Sequence, residues 1–168
     1  MITEISENFY RITLPMPFRL RHVHAYALAE GGQAALFDAG MLMPGAGEKL
    51  EVDLAGIGIS AADISDIYLT HTHTDHCGLA GWIQEKSNAL LHLSDEARQM
   101  YDHFQQGEDL IARARLFYSR HGLPACDVEA IVEEIEDLRG RIPRLDVATI
   151  LRDRETRRFG SRAFEVIF

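Results

Sequence analysis

The side chains best suited to chemistry in this sequence lie between residues 71 and 76. His71, His73, Asp75 and His76 are separated only by threonines. Imidazole nitrogen is a preferred ligand of borderline-soft divalent metals such as zinc, and carboxylate oxygen is a harder ligand for the same ions. Protonated histidines packed this closely would repel one another, whereas a metal binds the lone pairs of neutral rings. The spacing therefore predicts a metal site rather than a polar loop with unrelated histidines.

The flanking residues indicate how this segment is held in place. Residues 67–70 form a short apolar run typical of a buried strand, and residues 78–86 have the pattern of a helix. A loop between a strand and a helix turns its side chains toward one point while both elements fix its ends. We therefore expect the site at the end of a strand.

The first half of the chain alternates between strand and helix patterns. Gly31-Gly32 lies between two apolar runs, which is typical of a hairpin. Apolar residues in 48–57 fall on one stripe and predict a helix. The strands predicted in this half cover residues 9–14, 24–30, 34–38, 67–70 and 89–93.

A helical pattern then runs from about residue 94 to residue 140. Ser94 and Asp127 are predicted caps of its first and third helices. Strand patterns return at 147–151, 154–159 and 163–168. The order predicts a single α/β domain over residues 1–168 with a helical insertion at about 94–140. The aromatic and methionine residues of this insertion fit either core packing or an apolar lid over the site. They are Met100, Tyr101, Phe104, Phe117 and Tyr118.

Composition narrows the classes of partner and compartment. The 168 residues carry a formal net charge of −9, with basic residues concentrated after residue 140, so nucleic acid is a disfavoured partner. No apolar run approaches the ~20 residues of a membrane span. The N-terminal residues lack the basic and apolar regions of a signal peptide, and Cys77 and Cys126 form no disulfide framework. We expect a cytoplasmic protein that binds neither membrane nor nucleic acid.

These motifs together resemble the metallo-β-lactamase superfamily. Residues 71–76 resemble its HxHxDH motif, and residues 35–40, Ala-Leu-Phe-Asp-Ala-Gly, resemble its strand ending in Asp-x-Gly. The small residues at 78–81 resemble its helix start, and the strands near 159–168 resemble those that precede its third metal histidine. The resemblance implies an αββα sandwich, represented mainly by its N-terminal part, with the helical insertion outside it.

The resemblance also implies roles for individual residues. His71 and His73 would bind a first metal, Asp75 and His76 a second, and Asp38 would lie beneath them and hold the loop by hydrogen bonds. The implied metal is zinc, with iron or manganese as alternatives. The implied reaction is attack of a metal-bound hydroxide, oriented by Asp75, on a thioester, ester or lactone of a small acyl compound. Hydroxyacylglutathione hydrolases (glyoxalase II) are the closest chemical match.

One departure from the family leaves the activity open. Its members carry a further Gly-His, a bridging Asp and a last His, and this sequence reaches Phe168 without them. We therefore expect a chain truncated before the third metal histidine, in which one face of a sheet lacks its usual covering. We expect a second copy of the chain to cover that face in a homo-oligomer. The alternative to a hydrolase is a non-catalytic relative that binds metal weakly or serves a structural role.

Overall fold

A seven-stranded mixed sheet organises the fold in the computed structural model, which describes residues 1–105 and 107–168. The strands lie side by side in chain order, antiparallel from the first to the fourth and parallel from the fourth to the seventh. They are β1 Ile2–Ser6, β2 Phe9–Pro15, β3 His22–Glu30, β4 Gln33–Phe37, β5 Ile64–Tyr68, β6 Leu90–Ser94 and β7 Val147–Leu151. Two further strands, β8 Thr156–Phe159 and β9 Arg162–Glu165, form a separate hairpin.

The helices connect the parallel strands, because parallel neighbours require crossover connections. They are α1 Ala46–Ala55, α2 Thr74–Cys77, α3 Ala80–Ser87, α4 Asp95–Gln105, α5 Glu108–Arg120 and α6 Ala125–Gly140. Helix α1 links β4 to β5, α2 and α3 link β5 to β6, and α4–α6 link β6 to β7. Within the described residues, no helix combines the length and apolar character needed to cross a bilayer.

Each face of the sheet has its own apolar cluster. Leu50 of α1 and Ile83 of α3 pack with Leu36 in the larger cluster, on the helical face. Tyr68 of β5 and Phe159 of β8 belong to the smaller one, beneath the hairpin. The central strands bury both faces, which explains why they read in the sequence as short continuous apolar runs.

Most of the predicted elements are confirmed, with three differences. The prediction missed β1, whose residues are largely exposed and lack apolar alternation. The helix predicted at 78–86 is confirmed as α3, but the prediction missed the short helix α2 that precedes it. The Ser94 cap is confirmed, since its Oγ accepts the Ala97 N–H at 3.0 Å. The prediction that Asp127 caps the third helix is wrong, because α6 begins at Ala125 and Asp127 lies inside its first turn.

Candidate metal centre

The four predicted metal ligands lie together where β5 ends and α2 begins. His71 Nε2 is 3.1 Å from His73 Nδ1, and His76 Nε2 is 3.5 Å from Asp75 Oδ2. The rings of His71 and His76 are 4.1 Å apart between centroids. The folded chain therefore brings the four side chains together as two close pairs at the end of a buried strand, His71 with His73 and Asp75 with His76.

The backbone of this loop is held by a single helical turn. The carbonyl oxygen of His73 accepts the N–H of His76 at 2.9 Å and that of Cys77 at 3.0 Å. The Cys77 side chain is fully buried, and its Sγ lies 3.4 Å from the carbonyl oxygen of Thr72. Burial raises the pKa of Cys77 to about 12, so the thiol stays protonated near neutral pH. Cys77 thus packs as a small buried residue within this turn.

Close packing of two loops keeps the site segment against the end of β4. A Cβ at Gly78 would lie 2.6 Å from the carbonyl oxygen of Thr74 and 2.9 Å from that of Gly40. The N–H of Leu79 donates to the Gly40 carbonyl oxygen at 3.1 Å, and the N–H of Ala39 donates to that of His76 at 2.7 Å. Glycine at 78 is therefore required by the approach of two backbones.

Asp38 occupies the position beneath the histidines. It follows β4 directly, is 6% exposed, and adopts a left-handed φ of 59° that aspartate tolerates better than most residues. Its Oδ1 accepts the Thr70 N–H at 2.9 Å, and its Oδ2 accepts the Nδ1–H of His76 at 2.7 Å. One carboxylate thus holds both the end of β5 and a predicted ligand.

Thr70 is a functional candidate that the sequence reasoning did not identify. Its Oγ1 donates to Asp38 at 3.0 Å and lies 2.9 Å from Nδ1 of His71. A hydroxyl does both when its own proton goes to the carboxylate and its lone pair accepts the ring N–H. Asp38 therefore orients His76 directly and His71 through Thr70. The signal was a threonine immediately before the first histidine, at the strand end.

The surroundings of His71 and His76 shift the pKa values of the two rings in opposite directions. Burial, together with His76 and His73, lowers the pKa of His71, so its ring is neutral near pH 7. The hydrogen bond to Asp38 raises the pKa of His76. In both rings Nδ1 faces an acceptor, which leaves Nε2 as the atom available to a metal.

Donor separations provide a test of whether this site suits zinc. Tetrahedral zinc with imidazole nitrogens at about 2.0–2.1 Å places two ligand atoms about 3.3 Å apart. The His71–His73 separation of 3.1 Å and the Asp75–His76 separation of 3.5 Å both match that spacing. In the part of the chain described, however, no three or more His, Cys, Asp or Glu residues form a group able to hold one ion. The donors fit as two pairs, each a partial ligand set.

Comparisons with known proteins agree on the family. A family model described as the metallo-β-lactamase superfamily matches residues 19–167. The metallo-β-lactamase family protein TTHA1429 from Thermus thermophilus superposes with a TM-score of 0.81 and 27% identity, over 95% of this chain and 51% of that one. A metallo-β-lactamase from Cronobacter sakazakii gives a TM-score of 0.67 at 16% identity, over 99% of this chain and 54% of that one, which shows the fold alone.

Curated relatives match over shorter segments. The Bacillus subtilis protein named "Probable metallo-hydrolase YqjP" is 32% identical over 91 residues, which is 54% of this chain and 28% of that protein. Ribonuclease Z of Nocardia farcinica is 41% identical over 70 residues, or 41% of this chain and 21% of that protein. The chain thus spans less than a third of these relatives and about half of the solved structures. With a family model covering most of its length and a shared fold, the chain belongs to the metallo-β-lactamase superfamily.

Proposed function

We propose that this chain forms the metal-binding part of a hydrolase that cleaves a thioester, ester or lactone of a small acyl compound. The observation that carries the proposal is the pairing of His71 with His73 and of Asp75 with His76 above a single buried carboxylate. In both pairs a ring nitrogen lies near a second potential metal ligand, at 3.1 Å and 3.5 Å, which is the spacing of two ligands on one zinc ion. Zinc is the proposed metal, because imidazole dominates the donor set.

The residues divide the work between metal binding and proton handling. His71 and His73 would hold one ion, and Asp75 and His76 would hold the second, with Asp38 bonded to His76 directly and to His71 through Thr70. Bound divalent ions supply Lewis acidity, which activates water and polarises the oxygen of the group under attack. Asp75, whose Oδ2 lies 3.5 Å from Nε2 of His76, would also orient the attacking water. In a thioester, water adds to the carbonyl carbon, the C–S bond breaks, and the proton leaves with the thiol.

The test combines metal content with hydrolysis in the zinc-loaded protein. We expect about two tightly bound zinc ions per chain and metal-dependent release of thiol from simple acyl thioesters. His71→Ala should abolish turnover and reduce the zinc stoichiometry. His103→Ala is the matched control, since His103 is an exposed histidine of α4. Equal turnover in both variants, or turnover unchanged by chelator, contradicts the proposal.

A non-catalytic metal-binding or structural role is the second candidate. The observation that favours it is the lack, among residues 1–105 and 107–168, of a group of three or more ligands around one point. Catalytic zinc takes three protein ligands and a water, and each donor pair supplies two. A measured content of less than one zinc per chain, together with no hydrolysis of thioesters or lactones, would support this non-catalytic role.

Because of the ribonuclease Z matches, the same assay should also include an RNA substrate. They raise a phosphodiester as an alternative substrate, whereas the net charge of −9 disfavours a polyanion. Cleavage of a transfer-RNA precursor, with no thioester or lactone turnover, overturns the acyl substrate while keeping the metal site. A cytoplasmic location and a homo-oligomeric state remain part of the proposal.

A further inference from the structure

A cavity of about 260 Å³ opens directly beside the candidate metal centre. On one side it is lined by the site loop, including His73 and Asp75. On the other side the lining is apolar and comes from two distant parts of the chain, the β2–β3 loop and the helical insertion with the residues just after it. The apolar side chains are Met16, Phe18, Phe104, Leu138 and Ile142.

The cavity has a buried floor and a partly exposed wall. Ile142 and Met16 are 8% and 9% exposed, whereas Phe18 is 42% exposed. Phe104 and Leu138 are half-buried. A wall of this kind leaves apolar surface in contact with water, and an apolar ligand that covers it gains binding free energy in proportion to the area removed from solvent.

Charge is confined to the site side of the cavity. Apart from Asp75 and the ionisable ring of His73, the lining residues carry no charged group. The far wall therefore provides no partner for a charged or strongly polar tail, which would lose hydration without compensation. A volume of about 260 Å³ also lies just below the range of about 300–1,000 Å³ typical of drug-sized ligands. The volume and the apolar far wall fit a flexible alkyl chain of modest length.

We propose that this cavity binds the apolar chain of the acyl substrate, and that Phe104 and Leu138 of the helical insertion set the accepted chain length. This inference rests on the proposed hydrolase function, and it narrows the substrate from small acyl compounds in general to unbranched, medium-length acyl groups. The aromatic residues of the insertion also have different surroundings. Phe104 lines the cavity, while Tyr101 packs in the core and Phe117 is 56% exposed.

The kinetic test uses the zinc-loaded protein and acetyl, hexanoyl and decanoyl thioesters of N-acetylcysteamine. We expect kcat/KM to rise at least about tenfold from acetyl to hexanoyl, since each buried methylene contributes to binding. Leu138→Trp should fill the cavity and bring the hexanoyl value down to the acetyl value. Phe104→Ala should enlarge it and move the optimum to decanoyl. Met100→Ala is the matched control, because Met100 lies on the same helix and is 40% exposed.

A binding measurement separates this inference from the reaction itself. Saturation-transfer NMR with 1-hexanol reports on the cavity without any hydrolysis, and circular dichroism confirms that each variant folds. Hexanol bound by the wild type and by Met100→Ala, but not by Leu138→Trp, supports the cavity even if no thioester is cleaved. Absence of hexanol binding with an equal rate for all three thioesters overturns the inference while the hydrolase proposal stands. Hexanol binding that survives Leu138→Trp overturns it as well.

Discussion

Asp38→Asn is the substitution that most directly tests how the metal centre is held. Asparagine has nearly the same shape and also tolerates the left-handed φ of 59° at this position. Its oxygen can still accept the Thr70 N–H, but its NH₂ group cannot accept the Nδ1–H of His76. We expect the His76 ring to shift its proton to Nε2, the atom that faces Asp75 and that the metal requires.

The magnitude follows from the bonds that Asp38 makes. Loss of a hydrogen-bonded group that orients a ligand reduces metal affinity by about 10–100-fold, equivalent to about 1.4–2.7 kcal/mol. The metal-free protein should lose about 2 kcal/mol of unfolding free energy, because bonds to a charged acceptor contribute about 1.5–3 kcal/mol each and neutral ones about half of that. Zinc affinity is measured by competition with a chromogenic chelator, and stability by urea unfolding in EDTA.

Asp66→Asn is the matched control for this experiment. Asp66, on β5, is likewise a carboxylate bonded to a histidine, with its Oδ1 2.8 Å from Nε2 of the buried His92. It takes no part in the candidate metal centre, so its replacement should lower stability and leave zinc affinity unchanged. The reasoning is refuted if Asp38→Asn binds zinc within about twofold of the wild type, or if both variants lose equal affinity.

Three further predictions concern a glycine of the site loop, a tyrosine of α4 and the assembly of the chain. Gly78→Ala should lower the unfolding free energy by at least about 2 kcal/mol, because its Cβ meets backbone atoms that cannot move independently. Gly140→Ala is the control, since a Cβ there meets nothing within 4 Å, and it should leave the unfolding free energy unchanged in the same urea titration. Tyr101→Phe should lower stability by about 1–2 kcal/mol, since the Tyr101 hydroxyl accepts the buried Leu145 N–H at 3.0 Å; an unchanged midpoint would show that water replaces the hydroxyl. Light scattering should give a homo-oligomer at micromolar concentration, and a monomer across that range contradicts the proposed assembly.

Part of the site could be predicted from sequence because it is local. The histidines and Asp75 lie within one short loop, and a strand pattern before it and a helix pattern after it set where that loop must lie. The role of Asp38 came only from the resemblance to a family, since it is far from Thr70 in sequence. Contacts across such distances depend on which strands are neighbours, and β4 and β5 pair in parallel only after the chain crosses over through α1.

Arg157 shows how packing changes the interpretation of a residue type. In the sequence it is one of several arginines near the C-terminal end, where charged side chains are expected on the surface. In the structure its guanidinium donates to Nδ1 of His92 at 3.2 Å, beneath the β8–β9 hairpin. His92, on β6, has a partner at each ring nitrogen, since its Nε2 lies 2.8 Å from Oδ1 of Asp66. Its partners could not be predicted, because they come from β5 and from a hairpin with no fixed register in the sequence.

The sequence by itself indicated the candidate donors, most of the strands and helices in their order, and the family, because residue types and short-range periodicity carry that information. The tertiary structure alone decided that Nδ1 of His76 faces Asp38, that Thr70 links Asp38 to His71, and that Phe104 faces the site while Phe117 faces solvent. Helical spacing places residues on a stripe but does not say what that stripe packs against. Only the arrangement of the insertion over the end of the sheet brings residues from both ends of the chain around one cavity.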